Sequence, residues 1–266
     1  MFDFGKANSE QIKAIQHTEG PVLIIAGPGT GKTFTLVKRV VYLISEKKIG
    51  SENIFIATFT EKAAKELITR ISNELIKLEI TVNVNELYIG TLHSICLRLI
   101  KENVEFTHLK KNYRLMDDFD QKYLIYRNHR IFDEIENIEL ISDTVKPWER
   151  AKQLSYYFNA VSEELVTAED LKKDPDPAVQ VLAKAYEIYQ SLLAEENAMD
   201  FSSIQVIAYN LLKENGSVRQ KVQEQLRYVM IDEYQDTNYV QEQLIFMIAE
   251  KHRNICVVGD DDQGLY

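Results

Sequence analysis

The feature that most constrains the chain is a glycine-rich segment between an apolar run and a helical pattern. The segment reads Ala26-Gly27-Pro28-Gly29-Thr30-Gly31-Lys32-Thr33, and the apolar run occupies residues 22–26. A continuous apolar run predicts a strand that is buried on both faces. Small residues let the backbone N–H groups of such a loop converge on phosphate oxygens, and the N-terminus of the following helix adds a partial positive charge. The order of strand, loop and helix therefore predicts a nucleotide-phosphate site in an α/β fold.

Each residue of this loop has an expected role in binding a nucleoside triphosphate. Lys32 is expected to reach the β- and γ-phosphates, and the Thr33 hydroxyl is expected to ligate Mg²⁺. The other predicted cofactor-binding positions are Ala26, Gly27, Pro28, Gly29, Thr30 and Gly31. Ala26 stands where the strict pattern has glycine. The alternative is a glycine-rich turn with an incidental lysine, which the flanking strand and helix patterns disfavour.

A pair of adjacent carboxylates supplies the second half of this site. Asp232 and Glu233 follow the apolar run 228–231, and ligands of open α/β sheets bind at the carboxyl ends of the strands. Asp232 is therefore expected to hold Mg²⁺, directly or through water, and Glu233 to orient and deprotonate an attacking water. An isolated Asp-Glu pair is more simply a solvated strand end, but the Tyr-Gln-Asp-Thr-Asn that follows disfavours that interpretation.

The order of patterns along the chain predicts where the sheet lies. Strand and helix patterns alternate from residue 22 to residue 101 and return after residue 201, which indicates a parallel sheet. Residues 109–196 show helical stretches and no convincing strand. We therefore predict an α/β domain formed by residues 1–108 and 197–266, with a helical insertion formed by residues 109–196.

The composition limits the partners that the chain can have. Its formal net charge is −10, because 41 acidic residues outnumber 31 lysines and arginines. This charge argues against a generally basic surface for nucleic acid, so any DNA-binding interpretation must come from motifs. Cys96 and Cys256 are far apart and match no metal-binding spacing, which favours a reduced, cytoplasmic chain. No apolar run reaches the length of a membrane span, so no membrane partner is expected.

The segment Asp232-Glu233-Tyr234-Gln235-Asp236-Thr237-Asn238 resembles the UvrD/PcrA/Rep-type DNA helicases of superfamily one. The chain is similar to the N-terminal part of these proteins, closely in its α/β portions and loosely in the insertion. The resemblance implies a RecA-like P-loop NTPase fold, with a parallel sheet and an inserted all-helical subdomain. It also implies an ATP-dependent 3′–5′ DNA helicase that uses ATP and Mg²⁺.

The segment Asn8-Ser9-Glu10-Gln11 is similar to the Q motif of this family. A glutamine amide can pair with N6 and N7 of adenine, so the resemblance implies that Gln11 selects ATP. Taken alone, the tetrapeptide predicts only a helix cap.

Two further segments resemble motifs that line the path of single-stranded DNA in the family. Residues 58–64 are similar to motif Ia and residues 90–94 to motif Ib. The resemblance implies DNA-binding roles for Thr58, Phe59, Thr60, Thr91 and His93. Hydroxyls and helix N-termini suit phosphates, and an aromatic ring offers a stacking face. The alternatives are core packing for Phe59 and a buried, hydrogen-bonded side chain for His93. The resemblance also implies that the insertion contacts duplex DNA, but the acidic composition of the insertion does not support such a contact.

Residues 257–266 resemble motif III, in which a glutamine senses the γ-phosphate, and this implies a catalytic role for Gln263. The alternative for this segment is a plain turn after a strand.

The chain departs from the family pattern at five positions outside the expected catalytic residues. These departures are Phe34 for arginine, Leu92 for phenylalanine, Ser202 and Ser203 for aspartates, and Gly264 for serine. Phe34 bears on how the adenine base is surrounded.

A second RecA-like domain follows the first in the family and supplies arginines to the γ-phosphate. The 266 residues hold no counterpart of that domain, and an arginine finger contributes about 10³–10⁵ in rate. We therefore expect a fragment that binds Mg-ATP weakly, hydrolyses it very slowly and does not unwind DNA.

Three alternative functions stay open. They are the same domain of a RecB/AddA-like helicase–nuclease, a standalone nucleotide- or DNA-binding module, and a P-loop small-molecule kinase.

Overall fold

The computed structural model describes residues 2–27 and 29–260 of the chain, which divides into two compact units. Unit 1 consists of Met1–Arg98, Leu212–Thr237 and Glu242–Tyr266, and unit 2 consists of Leu99–Leu211 and Asn238–Gln241. The predicted insertion, residues 109–196, lies inside unit 2, which is longer at both ends.

Helices and strands alternate along unit 1, and helices dominate unit 2. The strands are β1 (Val22–Ile25), β2 (Ile54–Thr58), β3 (Tyr88–Thr91), β4 (Arg114–Leu115), β5 (Ala198–Met199), β6 (Tyr228–Ile231) and β7 (Ile255–Gly259). The helices are α1 (Ser9–Gln16), α2 (Lys32–Ser45), α3 (Glu61–Lys77), α4 (Leu92–Glu102), α5 (Asp118–Arg127), α6 (His129–Asp133), α7 (Pro147–Glu163), α8 (Ala168–Lys172), α9 (Pro177–Glu195), α10 (Phe201–Glu214), α11 (Gly216–Gln225) and α12 (Tyr239–Ala249).

The strands of unit 1 form one parallel sheet with the order β1-β7-β6-β2-β3. The register pairs Ile25 of β1 with Gly259 of β7, and Val257 of β7 with Ile231 of β6. Because the strands are parallel, the loops that follow β1, β6 and β7 lie at the same edge of the sheet. The prediction of an α/β fold with a parallel sheet is confirmed.

Strand β1 differs from its prediction in one respect. A continuous apolar run is typical of a strand buried on both faces, whereas β1 pairs only with β7 in the described part of the chain. Leu23 and Ile25 are 64% and 59% exposed. The prediction was wrong because an apolar run carries no information about which other elements cover each face of the strand.

Helix α2 connects the phosphate loop to the core of unit 1. Its apolar face is buried against the sheet, as the spacing predicts, and consists of Leu36, Val37, Val40, Val41 and Ile44. Arg39 on the same helix is also buried, and its guanidinium donates to the carbonyls of Ala14 and His17 at the end of α1. Carbonyls at a helix C-terminus lack partners within the helix, so Arg39 holds α1 against α2.

Glu74 links α3 to α2 through an ion pair. Its carboxylate accepts hydrogen bonds from Lys38 (2.7 Å) and Lys77 (2.6 Å), and these bonds, with Lys38 the stronger cause, lower its pKa below the usual 4.5. We expect Glu74→Gln to lower the free energy of unfolding by about 1 kcal/mol at neutral pH. A lowered pKa adds stability in full only above the unfolded pKa, so the difference should shrink as the pH falls from 4.5 through the folded pKa.

Urea unfolding at neutral pH and at about pH 3 measures this difference. Circular dichroism is the suitable probe, because the single tryptophan, Trp148, lies in unit 2 and does not report on α3. Glu46→Gln, at an exposed position after α2, is the matched control. An equal loss of stability by Glu74→Gln at both pH values would contradict the prediction.

Unit 2 has an apolar core of its own. The rings of Phe158 in α7 and Tyr189 in α9 are stacked with their centroids 4.7 Å apart. A short parallel pair, β4 with β5, accompanies the helices. Strands of two residues are too short to leave a periodic pattern in the sequence.

Among the described residues we find no helix whose length and apolar character would let it span a bilayer.

Candidate nucleotide-binding site

The loop that follows β1 has a backbone conformation that requires glycine at two positions. Gly29 and Gly31 have φ angles of 75° and 92°, in the left-handed region that favours glycine. Gly31 is the N-cap of α2, and no side chain of the described residues caps this helix, so its first N–H groups are available to an anion. The Thr30 hydroxyl donates to the carbonyl of Gly27 (2.7 Å) and closes the loop. Pro28 lies outside the described residues.

The side chain of Gln11 lies against this loop. Its amide nitrogen donates to the carbonyl of Thr30 (3.0 Å), and its amide oxygen accepts from the backbone N–H of Asn8 (3.0 Å). A side-chain amide has a second N–H and a second lone pair. Gln11 therefore keeps one donor and one acceptor for a nucleotide base.

Gly31 is the position of the loop that tolerates a side chain least. A Cβ atom there would lie 2.9 Å from the amide nitrogen of Gln11, at a φ of 92°. We expect Gly31→Ala to displace Gln11 and to weaken Mg-ATP binding by about tenfold or more, since about 1.4 kcal/mol corresponds to tenfold. Equilibrium titration with a fluorescent ATP analogue measures the effect.

Gly20→Ala is the control for this substitution. Gly20 also has a left-handed φ, 79°, but a Cβ atom there would meet nothing within 4 Å. Gly20→Ala should therefore carry the backbone strain without the loss of ATP affinity. Equal losses of affinity in the two variants would contradict the role of the contact with Gln11.

A groove of about 600 Å³ lies between α1, β1 and the loop. This volume is in the range of ligand pockets. Its lining includes Gln11, Ala26, Gly27, Thr30, Gly31 and Lys32. Lys32 is the one cation among the described residues that line it.

Lys32 faces carboxylates from the far end of the chain. Its ammonium lies 3.2 Å from Oε2 of Glu233 and 4.0 Å from Oδ2 of Asp260, and its side chain is only 12% exposed. Lys32 and Glu233 are 201 residues apart in sequence. The strand order β1-β7-β6 brings them together, because the residues after these strands share one edge of the sheet.

Asp232 is the residue whose environment best fits a metal ion. Its Oδ1 atom is buried and has no hydrogen-bond partner among the described residues. Burial, and next the charge of Glu233, raise the pKa of Asp232 from 3.8 to about 6, and Lys32 opposes them. A divalent cation would supply the missing partner, and Thr33 on the first turn of α2 offers a hydroxyl, so the residues present fit Mg²⁺.

The described residues include no group of three or more histidine, cysteine, aspartate or glutamate side chains able to hold a metal. Mg²⁺ commonly takes one or two protein ligands and completes its shell with phosphate and water. The two candidate ligands, the Asp232 carboxylate and the Thr33 hydroxyl, agree with this coordination preference of Mg²⁺.

Two residues of this site, Gln235 and Asp260, were not predicted from the sequence. Gln235 donates to Glu233 (2.9 Å) and accepts from the backbone N–H of Asp260 (3.2 Å). Both lie in segments that the motifs singled out, the turn after β6 and the end of β7. No local signal distinguished them from their neighbours, because their contacts depend on β6 and β7 being adjacent. Gln263 lies outside the described residues, and its role stays a prediction.

The residues predicted to bind DNA lie at the ends of β2 and β3 and directly after them, and these neighbouring strands pair Thr58 with Thr91. Phe59 is 65% exposed, which excludes the core-packing alternative. The Thr60 hydroxyl caps α3 by accepting from the N–H of Ala63 (3.2 Å). Thr58 is buried, and its hydroxyl donates to the carbonyl of Thr60 (3.0 Å), so Thr58 supports the turn and does not present its side chain to a ligand.

The second group lies at the end of β3 and the start of α4. The Thr91 hydroxyl donates to Glu61 (3.1 Å) and accepts from the N–H of Ser94 (3.2 Å). His93 is half-buried at the start of α4 and has an interaction partner. Phe59 and Thr91 therefore lie at one edge of the sheet, with Phe59 presenting the larger exposed surface.

The chain resembles known proteins along nearly its whole length. A model of the UvrD/REP helicase N-terminal domain matches residues 7–266. The ATP-dependent DNA helicase PcrA of Staphylococcus epidermidis is 35% identical over 263 residues, which are 97% of this chain and 34% of that protein. PcrA of Staphylococcus aureus is 34% identical over the same share of each chain. The chain spans about a third of the length of these curated relatives.

Proposed function

The chain belongs to the UvrD/REP helicase family, and on that premise we propose that it is the ATP-binding part of an ATP-dependent 3′–5′ DNA helicase. The observation that best supports this proposal is the placement of Lys32 in the groove with Glu233 beside it and Asp232 next along the chain. In this proposal residues 1–108 and 197–266 form the ATPase domain, and residues 109–196 form the insertion. The buried free thiols Cys96 and Cys256 support a reduced, cytoplasmic setting.

The residues of the site suggest how they divide the work of hydrolysis. Thr33 and Asp232 would hold Mg²⁺, which neutralises phosphate charge when bound. Lys32 leaves Glu233 and binds the β- and γ-phosphate oxygens. Glu233 then accepts a proton from water while the water oxygen bonds to the γ-phosphorus. The bond from that phosphorus to the β–γ bridging oxygen breaks, and ADP leaves with it.

An ATP-binding and hydrolysis assay tests this proposal. A fluorescent ATP analogue is titrated with and without Mg²⁺, and unlabelled ATP and GTP compete for the site. We expect Mg²⁺-dependent binding and a preference for ATP, which Gln11 would supply. Radiolabelled ATP then measures hydrolysis with and without an oligonucleotide. The proposal would be contradicted if no nucleoside triphosphate bound to the protein in the presence of Mg²⁺.

We propose that single-stranded DNA crosses the edge of the sheet where Phe59 lies. Phe59 is 65% exposed, and an aromatic ring that stacks on a base contributes about 1–3 kcal/mol. Phe59→Ala should therefore weaken binding of an oligonucleotide by about tenfold, measured by fluorescence anisotropy. Phe246→Ala removes a ring that is 47% exposed on α12 and is the control. Equal affinities of both variants and the parent would contradict this path.

We also propose that this chain alone hydrolyses ATP slowly and does not separate DNA strands. Lys32 is the one cation among the described residues that line the groove, and an arginine finger contributes about 10³–10⁵ in rate. A strand-displacement assay measures unwinding. ATP-dependent displacement by this chain would contradict the proposal.

A further inference from the structure

Gln235 connects Glu233 to the end of β7. Its amide nitrogen donates to Oε2 of Glu233 (2.9 Å), and its amide oxygen accepts from the backbone N–H of Asp260 (3.2 Å). These partners define which way the amide points, because a carboxylate only accepts and a backbone N–H only donates. We propose that Gln235 is a positioning residue that holds the Glu233 carboxylate in place for the attack of water on ATP. This inference rests on the proposed function.

The backbone of Glu233 shows why a second anchor is needed. Glu233 has φ 53° and ψ 51°, in the left-handed region that a residue with a side chain rarely adopts. Such a conformation persists where surrounding contacts over-determine it. Gln235, which follows within the same turn, provides one of these contacts through the side chain of Glu233 itself.

The two donors to Glu233 differ in what ATP would do to them. Lys32 and Gln235 both donate to Oε2, at 3.2 Å and 2.9 Å. When Lys32 turns to the phosphates, Gln235 is the side-chain donor that stays on Oε2. The other oxygen of the carboxylate, Oε1, accepts no hydrogen bond from the described residues. No side-chain donor therefore competes with a water molecule for Oε1. Gln235 thus restrains one carboxylate oxygen and leaves the other for the water.

Gly259 also supports the role of Gln235, whose amide connects Glu233 to the backbone of Asp260. A Cβ atom at this position would lie 3.1 Å from the amide oxygen of Gln235, a separation that forces one of the two to move. Gly259 has no left-handed φ, so its backbone conformation does not require glycine. A side chain at position 259 would therefore press on the amide of Gln235.

Replacement of Gln235 by methionine is the primary test. Gln235→Met keeps the length of the side chain and removes both hydrogen bonds. We expect the single-turnover rate of ATP hydrolysis to fall about ten- to hundredfold, the scale of a misplaced reacting group. The affinity for Mg-ATP should stay the same, and the protein should stay folded, with a lower melting temperature because two hydrogen bonds are lost. Gln220→Met is the matched control, because Gln220 donates to Glu224 (2.9 Å) in the same way on α11, outside the site.

A double substitution separates positioning from a general structural role. If Gln235 acts through Glu233, Gln235→Met should cause little further loss in a Glu233→Gln background, whereas a structural role would lower the rate in both backgrounds. Gly259→Ala leaves Gln235 in the chain and pushes its amide aside, so it should also lower the rate at unchanged ATP affinity. This second variant keeps the test decisive should Gln235→Met fold poorly.

The outcomes distinguish this inference from the proposed function. A normal rate in Gln235→Met and in Gly259→Ala, together with a large loss in Glu233→Gln, would overturn the role of Gln235 and leave the ATPase proposal standing. Unchanged hydrolysis in Glu233→Gln would overturn the assignment of Glu233 as the base, and with it the premise of this inference, whereas failure of the parent chain to bind Mg-ATP would overturn the proposed function. A loss of rate in Gln235→Met that repeats in the Glu233→Gln background would also overturn the positioning role.

Discussion

Glu233→Gln should lower the rate of ATP hydrolysis by about 10²–10⁴-fold, the usual contribution of a general base. Glutamine has the shape of glutamate but cannot take a proton from water at neutral pH. The affinity for Mg-ATP should stay the same or rise, because Lys32, which donates to Glu233 at 3.2 Å, loses its competing partner. Single-turnover hydrolysis and an equilibrium titration measure the two quantities separately.

Glu224→Gln is the matched control for this substitution. Glu224 accepts hydrogen bonds from Lys251 (3.0 Å) and Gln220 (2.9 Å), the same two kinds of partner that Glu233 has. It lies on α11, away from the groove lining. A similar loss of rate in both variants, or a loss of ATP affinity in Glu233→Gln, would contradict the assignment of Glu233 as the base.

Lys32→Met should weaken Mg-ATP binding by about ten- to hundredfold, and hydrolysis should fall with it. A hydrogen bond to a charged group contributes about 1.5–3 kcal/mol, and about 1.4 kcal/mol corresponds to tenfold in affinity. Lys32 is 12% exposed and lies in the groove, so water screens its charge little. Methionine keeps the apolar stem and removes the ammonium group.

The same substitution should also lower the melting temperature without ATP. Lys32 lies between the carboxylates of Glu233 and Asp260, at 3.2 Å and 4.0 Å. Its removal takes away the cation that the two carboxylates share, and breaking a largely buried ion pair by removing one partner is destabilising. Lys221→Met, at an exposed position on α11, is the control. Unchanged ATP affinity in Lys32→Met would contradict the placement of the phosphates in this groove.

Much of the site could be predicted from the sequence because its chemistry is local. The phosphate loop needs glycines with left-handed φ just before a helix, and Gly29 and Gly31 have them. Asp232 and Glu233 follow directly after a strand, so a buried apolar run sufficed to place them at a sheet edge. The alternation of strand and helix patterns likewise indicated a parallel sheet.

Other features depended on long-range packing and left no local trace. The apolar run of β1 looks like that of a central strand, yet Leu23 and Ile25 are exposed at the sheet edge. Thr58 and Phe59 are adjacent in one motif, but one is buried and the other exposed, because Thr58 is the last residue of the fully buried strand β2 and Phe59 lies in the turn that follows it.

The sequence by itself determined which residues we propose for the chemistry, since Lys32, Thr33, Asp232 and Glu233 lie in short segments whose local conformation their own residues dictate. Only the tertiary structure decided that β7 lies between β1 and β6. That order brings the Lys32 ammonium to Glu233 and places the backbone of Asp260 within reach of Gln235. The physical reason is that backbone propensity and burial are encoded over a few residues, whereas strand order follows from how the whole sheet packs.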